Sequence, residues 1–253
     1  MNEFAEGLDR LLADLCTPAV VREIDGGGPA TELWDTLTRS GYLDAMVAED
    51  GGGAGLSLAD AFALFVLDGK YAVPVPLART MATRGLGPDK TAEELPTELG
   101  AVVASAQIVG ALERVLDMTL AYARQRTQFG RPISRFQVIQ HQLAVMAEQV
   151  SAARVAAQIG CASSGRLPDR QRAAVAKSVA SEAAAKVAAA AHAVHGAIGI
   201  TAEYDLQLFT RRLHRWRADF GSETRWNHVL GQAVLQATEP MTLDYMRAAL
   251  LPS

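Results

Sequence analysis

The sequence predicts an all-α fold: a short N-terminal helical unit followed by an antiparallel four-helix bundle. Three observations carry it. Of 253 residues, 49% are hydrophobic but only 6% aromatic, with alanine concentrated in the second half; this suits closely packed helices, whereas a sheet would be richer in β-branched and aromatic residues. Apolar positions recur at steps of three and four over four long stretches, the spacing of one helix face. Short breaks separate those stretches, which makes consecutive helices antiparallel neighbours.

Taken in order, Asn2 to about Val73 holds three short helical patterns, the last opening after "EDGGGAGLS" and running through "LADAFALFVLDGKYA". "GGGAGLS" at Gly51–Ser57 lacks the lysine of a phosphate-binding loop and reads as a flexible turn, with Ser57 capping the next helix. From Arg79 to Leu99 the chain is polar and punctuated by Gly and Pro, a boundary signal. The division is an N-terminal helical domain at 1–83, a linker at 84–97 and a bundle at 98–253. The first bundle helix carries Val102, Ala106, Val109, Leu112, Leu116, Leu120 and Ala123 on one face. The second repeats the rhythm from Phe136 to Val150, the third from Val175 to Val194, and the fourth through Leu206, Phe209, Leu213 and Trp216. Phe220 continues this last stripe. "GRLPDR" at Gly165–Arg170 and "HGAIGI" at His195–Ile200 supply breaks.

A net charge of −4 and a pI near 5.8 provide no basic excess for a nucleic acid or an anionic membrane. The N-terminus is acidic where a signal peptide needs basic residues, and the apolar run Val179–Val194 is interrupted by Glu182 and Lys186. A cytoplasmic protein that does not enter a membrane is expected. Cys16 and Cys161 lie far apart with no partner at ligand spacing and read as buried, reduced thiols. His192 and His195 have a ligand-like spacing but no third ligand, and read as helix-end residues.

The densest polar chemistry is the turn between the first two bundle helices. Arg124, Arg126, Gln128, Arg131 and Arg135 surround Phe129–Gly130 and Pro132. The planar guanidinium fork matches phosphate oxygens, and Phe129 offers a stacking face. The plainer alternative is a helix C-terminus whose cations meet its negative dipole end, followed by Gly and Pro as stops. Gln137 also fits a local capping box with Ser134 in "SRFQ".

"RQRTQFGRPISRFQVIQHQLAVMAE", from Arg124, resembles the signature of the C-terminal helical domain of the acyl-CoA dehydrogenase family. "HGAIGITAEYDLQLFTRRL" is similar to that family's second glycine-containing motif. Ala101–Ala123 resembles the helix before the signature, and "ELWDTLTRSGYLDAMVAEDGGGAGLS" a short form of the N-terminal helical domain. The resemblance implies FAD-dependent α,β-dehydrogenation of an acyl-CoA thioester. It also implies that Arg126 reaches the FAD pyrophosphate, with Gln128, Phe129 and Gln137 near the diphosphate and adenine of a neighbouring subunit's flavin.

Two departures from the family pattern bear on function. The β-domain that normally covers the flavin ring is replaced by the linker alone. The usual catalytic glutamate falls on Phe220, with Gly221–Ser222 in place of the following Gly-Thr, and the alternative base position falls near Gly100. Asp219, Glu223 and Glu98 are the remaining carboxylates for a base. An amide residue before the glycines is also replaced, by Ala193. The expectation is a subunit of a hetero-oligomer with a full-length acyl-CoA dehydrogenase that carries the base. A non-catalytic homologue without flavin, or a homodimeric enzyme using one of those three carboxylates, are the alternatives.

Overall fold

The computed structural model describes residues 3–87, 89–237 and 242–250. These are helical almost throughout: α1 (Glu3–Leu15), α2 (Pro18–Asp25), α3 (Thr31–Arg39), α4 (Leu58–Lys70), α5 (Leu77–Arg84), α6 (Thr97–Gln125), α7 (Gln137–Cys161), α8 (Arg170–His195), α9 (Leu206–Ala218), α10 (Glu223–Gln236) and α11 (Thr242–Leu250). The four predicted bundle helices are α6 to α9.

Helix α6 is the central rod, with every residue from Leu99 to Leu112 buried. It packs against α4, α7, α8 and α9. Helix α8 meets α6 and α7 through a face of small residues that includes Ala173, Ala176, Ala180, Ala184 and Ala188, so the helix axes approach closely. Its start is fixed by Asp169, whose side chain accepts from the N–H groups of Gln171 and Arg172. Helices α6 and α8 are long and apolar enough to cross a bilayer, but 83% of the apolar window of α6 and 44% of that of α8 are buried inside the fold.

The crossing of α4 over α6 depends on two glycines. A Cβ on Gly69 would collide with the carbonyl of Gln107, and one on Gly110 with the carbonyl of Val66. Backbone touches backbone there, and one continuous hydrophobic cluster consequently joins Ala5 in α1 to Trp216 in α9.

Several elements differ from the sequence expectation. Residues 3–70 form four helices where three are expected, because Thr17 caps and Pro18 opens a new helix directly after α1. Helix α5 occupies the start of the polar Arg79–Leu99 stretch, since Leu77, Ala78, Met81 and Ala82 all find the core. A 3-10 turn at Ala92–Glu94 then leads into α6, and no strand occurs among the described residues between them. Helix α10 was not signalled by periodicity; Trp226 anchors it against Ala101 and Ala174. Ser57 does cap α4, in a full capping box with Asp60. Both cysteines are free and buried, as expected.

Candidate functional site

The arginine-rich turn begins where α6 stops. Arg126 leaves the helix with extended backbone angles while its N–H still reaches the carbonyl of Tyr122 at 2.8 Å. Thr127 and Gln128 then pair with Pro132 and Arg131 in a minimal antiparallel ladder. Phe129 and Gly130 turn the chain at φ 51° and 76°, the paired positive angles of a tight hairpin. Ile133 is buried beneath the hairpin and its N–H bonds the Arg126 carbonyl at 2.8 Å. The outer side faces solvent: Phe129 is 92% exposed and meets the edge of Phe136, whose ring also carries the Arg131 guanidinium at 4.3 Å. Arg126, Gln128 and Gln137 are exposed, and no side-chain hydrogen bond engages them among the described residues. The Ser134–Gln137 capping box does not form. Phe136 occupies the N-cap of α7, and the Ser134 carbonyl accepts from Gln140 at 3.0 Å instead.

The second glycine motif lies beside the base of this turn. His195 is buried at the end of α8, bonded through Nδ1 to the Ala191 carbonyl at 2.8 Å and through Nε2 to the Tyr204 hydroxyl at 3.2 Å. Tyr122, in the last turn of α6, stacks on that imidazole at 4.4 Å. His192 bonds Thr210 at 3.1 Å. Burial pulls both histidine pKa values down, which suits neutral rings that brace the packing. No group of three metal-ligating side chains exists among the described residues. Ala193, at the position of the lost amide, is exposed.

The third element is the turn joining α9 to α10. Phe220 does not continue the stripe of α9, because that helix ends at Ala218 and Phe220 adopts φ 58°, followed by Gly221 at φ 96°. Its ring lies directly on Gly100, where a Cβ would collide with it, and the Arg79 guanidinium sits 5.1 Å from its centroid. Trp226 Nε1 donates to the Phe220 carbonyl at 3.1 Å and fixes the turn. The two base positions taken from sequence, Phe220 and Gly100, are therefore neighbours, and a phenyl ring fills the space between them.

The three remaining carboxylates are each engaged. Asp219 pairs with Arg79. Glu223 bonds Arg217 through a fork in which Nε meets Oε2 at 2.9 Å, and that guanidinium holds its carboxyl below the usual range. Glu98 lies in the first turn of α6, 3.8 Å from Arg170. Beneath the turn is Lys177, fully buried in α8, whose Nζ donates to Ser181 Oγ at 3.1 Å, to the Arg217 carbonyl at 3.0 Å and to the Trp216 carbonyl. It caps the C-terminus of α9; burial draws its pKa down to about 7, against the opposing pull of Asp219 and Glu223. Sequence reasoning missed Lys177 and Arg79. A lysine on the buried side of an alanine-rich helix is the signal that marks the first.

The family model described as acyl-CoA dehydrogenase, C-terminal domain, matches residues 94–229, more than half of the chain. The chain belongs to the acyl-CoA dehydrogenase family. Acyl-CoA dehydrogenase IpdE2 of Mycolicibacterium smegmatis is 38% identical over 133 residues, 53% of this chain and 40% of that protein, so the match spans less than half of the relative. A chain of the ChsE4-ChsE5 complex from Mycobacterium tuberculosis superposes with a TM-score of 0.83 at 19% identity, covering 94% of this chain and 99% of that one. A chain of the Tcur3481-Tcur3483 steroid ACAD superposes at 0.78 with 18% identity, covering 92% and 97%. These superpositions establish that the short all-α architecture is a form of the family fold.

Proposed function

We propose that this chain is one subunit of a cytoplasmic acyl-CoA dehydrogenase that oxidises an acyl-CoA thioester between its α and β carbons, using FAD held jointly with a full-length partner subunit. The observation that carries the reading is an asymmetry. The hairpin of Arg126, Gln128 and Phe129, with Gln137 at the start of α7, presents its polar side chains unbonded to solvent, whereas the place that the family pattern gives the base is packed shut by Phe220 on Gly100.

The turn fits the phosphate end of a dinucleotide. Arg126 supplies forked N–H donors and Gln128 an amide at the edge of the same hairpin, and Phe129 and Gln137 lie beside them for the adenine. FAD, when bound, accepts the hydride released from the β carbon. This chain's part is to orient the diphosphate and to cover the partner's site from water. The α proton goes to a carboxylate of the partner, because Asp219 and Glu223 are bonded to arginines here and Glu98 lies in the first turn of α6 facing Arg170 across 3.8 Å. The complexes named ChsE4-ChsE5 and Tcur3481-Tcur3483, which contain chains of this short fold, support a two-component assembly.

The test is co-expression with a full-length homologue, followed by the flavin absorbance of the purified complex. The native complex is expected to be yellow and the Arg126→Ala complex to hold several-fold less flavin at equal protein. Equal occupancy would reject the shared site. The closed base position also favours a second reading, a non-catalytic homologue without flavin, which a colourless and inactive complex would support.

A further inference from the structure

A cleft of about 420 Å³ opens between the connection from α4 to α5 and the outer face of α9, a volume within the range of small-molecule sites. Four guanidiniums line it, those of Arg79, Arg211, Arg212 and Arg215. Two are neutralised: Arg79 by Asp219, and Arg212 by Asp25 through paired contacts of 2.8 and 3.0 Å. Arg211 and Arg215 have no acidic partner among the described residues. They sit at i and i+4 on one helix, where like charges repel and destabilise the helix. An uncompensated cationic pair at the mouth of a concave, half-apolar cleft is what an anion would neutralise.

The rest of the cleft shapes the ligand. Val73–Pro76 and Trp216 form an apolar wall. On the floor, Gln107 is 4% exposed and donates to Asp68 Oδ1 at 2.9 Å, while its Oε1 has no hydrogen-bond partner. Asp68 lies just behind, fully buried, its other oxygen taken by the Ala78 N–H at 2.9 Å. The floor therefore lacks a donor, and the rim has donors to spare.

We infer that this cleft binds a small hydroxyl-bearing phosphate ester, its phosphate on Arg211 and Arg215 and its hydroxyl toward Gln107. The phosphate belongs either to a free metabolite of that kind or to coenzyme A. This site does not involve the flavin turn; a free metabolite there stands apart from the proposed dehydrogenase activity, whereas coenzyme A there rests on that reading and deepens it.

The test is titration calorimetry on the full chain in the form in which it purifies, alone or with its partner, at constant ionic strength. The probes are glycerol 3-phosphate, inorganic phosphate and coenzyme A, with sodium chloride as the control for general screening. At least one phosphate compound is expected to bind saturably. In the double variant Arg211→Ala, Arg215→Ala that affinity falls at least tenfold, while Lys186→Ala, on the far exposed face of α8, leaves it unchanged. Binding by glycerol 3-phosphate but not coenzyme A assigns the free metabolite; the reverse assigns the coenzyme. No binding by any probe, or binding that survives the double variant, overturns the inference. A double variant that loses only its partner subunit overturns it too, and makes the cationic pair part of a protein interface.

Discussion

At the scale of the residue, Phe220 and Asp68 show what a buried side chain does to its neighbourhood. Phe220 spends an unfavourable positive φ on placing its ring against Gly100 and under Arg79. Phe220→Glu restores the side-chain type of the family's base, but the new carboxylate would meet the Arg79 guanidinium. The expected result is no gain in thioester-dependent flavin bleaching when this variant is assayed in the flavin-bearing complex with a partner whose own base has been removed; a clear gain would show that the ring alone blocks catalysis. Asp68 titrates within reach of ordinary buffers. Burial pushes its pKa up from 3.8 to about 6, opposed by the bonds from Gln107 and the Ala78 N–H. A raised pKa means that the folded state holds the proton more tightly, so this group's contribution is fully present below pH 4 and is lost as pH rises through 6. Asp68→Asn removes the dependence and lets Gln107 turn its unpartnered oxygen toward the new amide. Urea unfolding of both proteins should show the native chain losing up to about 3 kcal/mol relative to the variant between pH 4 and pH 7. Parallel pH profiles would contradict this.

At the scale of the element, the crossing of α4 and α6 is held by backbone contact at Gly69 and Gly110. Gly110→Ala adds a methyl group where the Val66 carbonyl stands and cannot be accommodated without separating the helices. Overpacking of this kind costs about 1–3 kcal/mol or more, despite the better helix propensity of alanine, and thermal unfolding should show a lower Tm. An unchanged Tm would mean that the helices slide apart at no cost. Gly231, in α10 with nothing near it, is the control: its alanine variant should be neutral or slightly stabilising. Helix legibility followed the same logic. Helices α6 to α9 were readable because one face of each is continuously apolar. Helix α5 was hidden because "LARTMATR" buries threonines alongside Leu77 and Met81, and α10 because its burial rests on a single residue, Trp226.

At the scale of the whole molecule, the short connection between α5 and α6 leaves the bundle without the domain that covers a flavin ring in the family pattern. The chain purified alone is therefore expected to be colourless, and to become part of a yellow protein only with a partner. A visible flavin spectrum from the chain alone would return the homodimeric reading, with a base among Asp219, Glu223 and Glu98.

The sequence by itself determined the all-α class, the four bundle helices, the family and the turn that offers Arg126, because each is written in local spacing or in a contiguous motif. By resemblance it also set Phe220 at the family's base position. Only the tertiary structure decided what that substitution means: that Phe220 leaves the helix, meets Gly100 from another element and closes the gap between them. The same holds for the engagement of Asp219 by Arg79, the burial of Lys177 and Asp68, and the cationic cleft on α9. These are contacts between residues tens to more than a hundred positions apart, and such pairings depend on how helices cross, which no local pattern encodes.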